Sequence, residues 1–289
     1  MPNLVKKVAA IHDLSGVGRV SLMCVIPVLS TMGIQTCPLP TAILSSHTQY
    51  PDFTFLDLTE NMTQMIAHWK ALDERFDAIY SGYLGSPRQI AIVEGFIHDF
   101  RRDDTLVVID PVLGDNGKLY ATFDEQMVKE MRRLVKSADV ITPNVTEALA
   151  LLGREYKTAF TPEELKELLL SLSDMGPKTV IVTSVPVPNE EHQTSTIAYS
   201  KDTGRFWRVT CQYMPAHYPG TGDTFTSVLT GALLQGDSLP VALDRAASFI
   251  LKGIRATFGY NYDNRDGILL ERVLPTLRDT NGVSTYEWF

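Results

Sequence analysis

The sequence predicts an α/β protein built on a mostly parallel sheet with helices on both faces. Three observations carry this. Short apolar runs of strand length alternate regularly with amphipathic helical patterns over most of the chain. The loops after these runs are rich in glycine, hydroxyl and acidic residues, as befits the carboxyl ends of parallel strands, where ligands collect. Only beyond Val185 does the period change, to paired runs that read as an antiparallel hairpin at the sheet's edge.

Residues 5–11 form the first run, followed by His12-Asp13-Leu14-Ser15-Gly16-Val17-Gly18-Arg19. A helical pattern then reaches about Met32, stopped by Gly33, with a kink predicted at Pro27. Gly16 and Gly18 invite a dinucleotide-binding reading. The third glycine position of that fingerprint holds Ser21, however, and the next strand, 34–39, ends without an acidic residue for a ribose. A loop approaching a small ligand and a plain glycine turn both fit. Residues 40–51 form a polar loop offering His47, Thr48, Gln49 and Tyr50, of which the lone histidine reads first as structural. A helix over 61–75 turns Met62, Met65, Ile66 and Trp69 toward the core.

Strand 77–81, the loop Gly82-Tyr83-Leu84-Gly85-Ser86-Pro87, a helix over 88–101 and strand 105–109 continue the alternation. The last of these ends in Asp110-Pro111. A carboxylate there suits a hydrated Mg²⁺ or an alkali cation beside phosphates, and an Asp-Pro turn accounts for it equally. A helix over 124–136 and strand 138–141 lead to Thr142-Pro143-Asn144-Val145-Thr146-Glu147. Asn144 and Glu147 have capping-box spacing; the competing reading has Glu147 reaching metal and phosphates through water, and local spacing does not separate the two. Helix 162–174, strand 179–183, the hairpin runs 195–200 and 205–210, helix 239–257 and a short amphipathic helix over 269–277 complete the chain.

The densest chemistry lies in Tyr218-Pro219-Gly220-Thr221-Gly222-Asp223-Thr224-Phe225. A glycine-rich turn enters a helix whose Phe225, Val228, Leu229, Ala232 and Leu233 share an inward face. Such a helix start offers backbone N–H groups and a positive dipole end to an anion. A carboxylate beside phosphates is repelled unless it has work there, and a base for an attacking hydroxyl would be such work. The bland alternative is a glycine turn with Asp223 favourable in the first helical turn. No Gly-x-x-x-x-Gly-Lys-Ser/Thr loop occurs in the chain, which disfavours an ordinary P-loop kinase.

Composition bounds the rest. With 289 residues, 44% hydrophobic and 21% charged, the chain can bury a sizeable core. No linker or internal repeat divides it, so 1–289 reads as one domain. A formal charge of −8 without basic runs disfavours nucleic acid as a partner. Apolar runs such as 106–109 and 149–152 are far too short to span a bilayer, and the N-terminal residues Met1-Pro2-Asn3 and beyond lack a signal-peptide core. Cys24, Cys37 and Cys211 fit no metal pattern and suggest reduced thiols in a cytoplasmic protein. The Asn144-Val145-Thr146 sequon is then fortuitous.

Collected in order, these motifs resemble those of the pyridoxal kinases of the ribokinase-like superfamily, from Ala10-Ile11-His12-Asp13 to about Gly259. Gly220-Thr221-Gly222-Asp223 is common to the superfamily, whereas Ser46-His47-Thr48-Gln49-Tyr50 with Ser81-Gly82-Tyr83-Leu84-Gly85 points to its vitamin B6 branch. The resemblance implies a three-layer fold without a separate β-lid, and ATP-dependent phosphorylation of the 5′-hydroxyl of pyridoxal, pyridoxamine or pyridoxine. It implies Asp223 as base and the backbone of Gly220, Thr221 and Gly222 as anion hole. Asp110, Thr142 and Glu147 would surround Mg²⁺, a monovalent cation (K⁺ or Na⁺) and the ATP phosphates. Asp115 and Tyr120 would fold over ATP, with Thr183 and Ser184 near the nucleotide. Thr48 and Gln49 would hydrogen-bond the pyridine ring, with Tyr83 and Leu44 on its faces. Asp13 holds a substrate-contacting position where better-known members have serine. Dimerisation is typical of such relatives, so the resemblance implies a homodimer.

Other readings remain open at this stage. A hydroxymethylpyrimidine kinase would share the phosphate machinery. A Rossmann-type NAD-binding protein would explain the N-terminal glycines but leave Asp223 without a purpose. A non-catalytic B6 carrier would need no base.

Overall fold

A computed structural model describes residues 4–121, 123–187, 190, 192–278 and 285–289. Met1, Pro2 and Asn3, and Pro188, Asn189 and Glu191 of the connection before the hairpin, lie outside these. The strands are β1 (Lys7–Ser15), β2 (Gln35–Leu44), β3 (Phe55–Asp57), β4 (Ala78–Ser81), β5 (Leu106–Ile109), β6 (Gly114–Asp115), β7 (Lys118–Leu119), β8 (Val140–Ile141), β9 (Thr179–Pro186), β10 (Gln193–Ser200), β11 (Arg205–Gln212) and β12 (Tyr286–Trp288). The helices are α1 (Leu22–Thr31), α2 (Thr59–Ala71), α3 (Pro87–Phe100), α4 (Glu125–Val135), α5 (Val145–Leu152), α6 (Pro162–Ser173), α7 (Thr221–Leu234), α8 (Leu239–Thr257) and α9 (Leu270–Val273).

A 10-stranded sheet in the order β12-β11-β10-β9-β8-β5-β4-β1-β2-β3 forms the middle layer. From β9 to β2 every neighbouring pair is parallel, while β10, β11, β12 and β3 add antiparallel edges. The chain leaves β1 through α1 to reach β2 on one side, then returns through α2 to β4 on the other. The carboxyl ends of β1 and β4 therefore flank the switch point at which open α/β sheets bind ligands.

Alternate strand residues feed two cores. Ala9, Ile11, Ile79, Val107 and Ile109 pack with α2 to α6 on one face, whereas Val8, Ala10, Tyr80 and Val108 meet α1, α7 and α8 on the other. Helix starts follow local chemistry. Ser86 and Thr161 accept the N–H groups of Gln89 and Glu164, and each precedes a proline in the first turn. Helix α7 is buried along Thr224–Ala232, wedged between the sheet, α1 and α8, so the orientation of its first turn is set by packing on several sides.

Several elements run differently from their sequence reading. Residues 40–44, read as loop, extend β2, because β3 pairs back across Ala42 to Leu44; Pro38 and Pro40 fall before that pairing begins. Strand β1 continues to Ser15 through a register shift between His12 and Leu14. The closing helix breaks into α9 and a 3₁₀ turn over Leu274–Arg278, where Pro275 offers no N–H.

Phe96 is 1% exposed and rings itself with Phe76, Phe100 and Trp69 at centroid distances of 5.8, 4.4 and 6.1 Å. Phe96→Ala is expected to cost about 3–5 kcal/mol in urea or guanidinium unfolding without changing the positions at the strand ends.

Candidate active site

At the switch point β1 delivers His12 and Asp13, β4 delivers Ser81 and Gly82, β5 delivers Asp110, and α7 brings Asp223 across from the far core. Asp223 Oδ2 accepts the Ser21 backbone N–H at 2.8 Å, and its backbone carbonyl accepts the Ser227 hydroxyl at 2.6 Å and the Tyr80 hydroxyl at 3.3 Å. About 14% of the Asp223 side chain remains open to solvent, enough to admit a hydroxyl group. Burial pushes its pKa up to about 6, with the Ser21 N–H pulling down and the Asp13 charge pushing up.

His12 lies beneath it, fully buried, with Nδ1 3.8 Å from Asp223 Oδ1 and the ring edge-on to Tyr80 at 4.4 Å. An ion pair at that distance would need a charged imidazole. Burial holds the His12 pKa down to about 3, so the pair is a neutral ring against a carboxyl group. Gly82 is required here, since a Cβ at that position would overlap His12 Nδ1.

Gly220 caps α7 at φ 79°, and a Cβ there would overlap the Arg19 carbonyl oxygen, so only glycine fits. No side-chain oxygen caps this helix. The N–H groups of its first turn are therefore available to an outside anion. Thr221 and Gly222 line a cavity of about 140 Å³ together with Thr183, Ser184, Phe225, Val209 and Ile250. The glycine turn and the Thr183–Ser184 segment of β9 thus share one space, with Asp223 next along the chain.

Asp110 and Thr142 end β5 and β8 on the same side of the sheet. Both are buried, and Thr226 of α7 donates its hydroxyl to Thr142 Oγ1 at 2.9 Å. Burial, with Glu147 and Asp223 close by, raises the Asp110 pKa well above the carboxylate range. Glu147 completes a true capping box. Its Oε2 accepts the Asn144 N–H at 2.8 Å, Asn144 Oδ1 accepts the Glu147 N–H at 3.0 Å, and Oε1 accepts the Leu113 N–H at 3.1 Å. Burial nevertheless pushes its pKa up to about 8. The folded chain therefore binds protons at Asp223 and Glu147 more tightly than the unfolded chain. The associated stability is full below the ordinary carboxylate range and is lost as pH rises through about 6 and about 8.

The ring-pocket candidates are partly assembled. Leu44 is buried at the end of β2, and Tyr83 stacks on Phe123 at 5.6 Å. Tyr120 is edge-on to the same Phe123 at 6.1 Å. Thr48 and Gln49 are exposed, with Gln49 Nε2 3.5 Å from His217 Nε2 and His217 Nδ1 3.8 Å from Asp115 Oδ2, so three loops meet over the opening. His47 anchors this loop: it is buried, with Nε2 2.6 Å from the Arg265 carbonyl, and Tyr50 bonds Asp266. Asp13 is buried and accepts the Ser21 and Ser15 hydroxyls at 2.5 and 3.1 Å. Ser21, Tyr80, Phe123, Thr226 and His217 carry no motif signal, and His12 falls in a motif without a role of its own; their places follow from tertiary packing.

The phosphomethylpyrimidine kinase family profile matches residues 26–266. The chain belongs to that family. A protein of Bacteroides thetaiotaomicron assigned to the phosphomethylpyrimidine kinases is 65% identical with a TM-score of 0.98, covering 100% of this chain and 99% of that one. An orthorhombic form, 66% identical over 99% of this chain and 100% of that one with a TM-score of 0.96, was solved with pyridoxal. The pyridoxal kinase of Lactobacillus plantarum is 33% identical with a TM-score of 0.86, over 95% of this chain and 97% of its own. An Arabidopsis thaliana pyridoxal kinase is 27% identical over 91% of this chain and 85% of its length.

Within this family frame the glycine turn gives a direct test. Gly220→Ala forces a side chain against the backbone of Arg19 at a positive φ. It should destabilise the protein by at least about 1 kcal/mol and lower the melting temperature, whereas Gly236→Ala, also at positive φ but in open space, should cost less.

Proposed function

We propose that this protein transfers the γ-phosphoryl group of ATP to the 5′-hydroxyl of a B6 vitamer, with Asp223 as the general base. The observation that carries the reading is the position of the Asp223 carboxylate. It is held by a single N–H, open on one side, and placed directly after a glycine turn whose first-turn N–H groups face a cavity. The vitamer hydroxyl would donate its hydrogen bond to Asp223 and lose that proton to the carboxylate as its oxygen forms the bond to phosphorus. The bond from phosphorus to the ADP oxygen breaks in line. N–H groups of Thr221, Gly222 and Asp223 would hold the charge on the transferring group. Thr183 and Ser184 would border the nucleotide, and Asp115 and Tyr120 on and beside the small β6–β7 hairpin would fold over it. Tyr83 and Leu44 would bound the ring, with Thr48 and Gln49 at its rim and Asp13 at its floor.

The donor set fits a hydrated Mg²⁺ and a monovalent cation. Asp110 is buried among Glu147 and Asp223, and none of the three has a lysine or arginine hydrogen-bonded to it among the described residues. Asp110 and Thr142 would hold the cations directly, and Glu147, both of whose oxygens already accept backbone N–H groups, would act through water. Bound cations supply charge neutralisation beside the phosphates. We treat 1–289 as one catalytic unit, in a cytoplasmic homodimer. The unpaired cysteines fit a reducing compartment, and the exposed Ile43, Phe55 and Leu56 along the β2–β3 edge offer apolar surface to a second copy.

A hydroxymethylpyrimidine kinase would use the same base and turn, and the family's own name keeps it in view. The pyridoxal in the orthorhombic Bacteroides thetaiotaomicron structure favours the substituted pyridine. Mg-ATP turnover with pyridoxal, pyridoxamine, pyridoxine and hydroxymethylpyrimidine separates the two, and turnover confined to the pyrimidine would overturn the vitamer assignment. Asp223→Asn is expected to lower kcat by about 10²–10⁴ with nucleotide binding retained. Because the base works only when ionised, wild-type kcat/KM should fall as pH drops through about 6; a flat profile down to pH 5 would exclude Asp223 as the base.

A further inference from the structure

Ser21 occupies an unusual backbone position, φ 49° and ψ −131°, at the entry to α1, in the place where a dinucleotide fingerprint would carry its third glycine. It is 6% exposed, and it reaches two carboxylates at once. Its N–H donates to Asp223 Oδ2 at 2.8 Å and its hydroxyl donates to Asp13 Oδ1 at 2.5 Å, while Ser15 Oγ donates to Asp13 Oδ2 at 3.1 Å. Asp13 itself sits where β1 slips its register against β2, between His12 and Leu14, the kind of irregularity that re-aims a side chain beside a site. His12, fully buried with neither ring nitrogen hydrogen-bonded, closes the other side of Asp223.

We propose that Asp13 and Ser21 form a positioning clasp for the base: Asp13 holds the Ser21 hydroxyl, this fixes the strained Ser21 backbone, and the Ser21 N–H fixes the Asp223 carboxylate. The proposal rests on the kinase reading above. It accounts for a serine where the backbone calls for glycine, since only a side chain with a hydroxyl can be gripped. It also gives Asp13 a task that does not require contact with substrate. Its ionised form adds negative charge beside Asp223 and so opposes ionisation of the base, while the Ser21 N–H favours it. The other groups around Asp223 are His12 on β1, Tyr80 on β4, Cys24 on α1, Asp110 at the end of β5 and Tyr120 beyond β7. None of these bridges Asp13 to it.

Two substitutions pull the clasp apart in opposite senses. Asp13→Asn keeps an acceptor for Ser21 and removes the charge, so the acid limb of kcat/KM should move to lower pH. Ser21→Gly permits the positive φ and removes the grip. The N–H bond to Asp223 then loosens, the acid limb should move to higher pH, and kcat at pH 7 should fall at least about tenfold, part of the 10²–10⁴ that a positioned base supplies. KM for ATP should stay put in both, and melting curves would confirm folding. An acid limb unmoved in folded Ser21→Gly and in Asp13→Asn would overturn the clasp; should Ser21→Gly fail to fold, an unmoved limb in Asp13→Asn alone would do so. Carboxyl-carbon NMR titration of Asp223 without substrate reads the same two shifts. A wild-type protein that turns over no vitamer would therefore sink the kinase reading, while the clasp is still decided by those shifts.

Discussion

A cluster of buried carboxyl groups at one end of the sheet is the constraint around which this structure is arranged. Asp13, Asp110, Glu147 and Asp223 converge on the carboxyl ends of β1, β5 and β8 with little solvent around them. Among the described residues no lysine or arginine hydrogen-bonds to any of them. Isolated carboxylates in such surroundings are costly, and the fold meets that cost with hydrogen-bond donors in place of counter-charges. Hydroxyls of Ser15 and Ser21 serve Asp13, the Ser21 N–H serves Asp223, and N–H groups of Asn144 and Leu113 serve Glu147. What donors leave over is a deficit of positive charge, which Mg²⁺ and a monovalent cation would fill.

This arrangement reconciles two readings of Glu147 that local spacing set against each other. The capping box is real, and the Glu147 carboxylate accepts backbone N–H groups of Asn144 and Leu113. A carboxylate oxygen has a second lone-pair direction, so the box fixes the side chain without exhausting it. Its structural role is what would make Glu147 a rigid outer partner for a hydrated cation, and structure and function need not compete for the residue.

The layers were legible in the sequence because the parallel strands of the sheet are bounded by glycine, proline or polar signals and alternate with helices of clear period. The motif residues were legible because their chemistry is local: a glycine pair before a helix, an aspartate after a strand. Residues 40–44, by contrast, hide in a polar run whose strand character depends on pairing with 55–57, which no local window contains. Ser21 was read only as an absent glycine, and His12 as a motif member without a role. Their significance lies in contacts with Asp223, which is 202 residues from Ser21, and in a backbone angle that serine adopts under tertiary constraint.

The Ser21 position also explains why the N-terminal glycines do not make a dinucleotide site. In that site the N–H groups opening the first helix receive a pyrophosphate. Here the N–H of Ser21, at the entry to α1, is already given to a carboxylate of the protein itself, and Cys24 Sγ and the Arg19 carbonyl pack behind it. A second helix start, that of α7, carries no capping side chain and opens on a cavity. Asp223 therefore does two things at once. It closes the first helix start to phosphate, and by sitting at the second it would place a base beside a phosphate held there, which is the geometry that a phosphoryl transfer to a neighbouring hydroxyl requires.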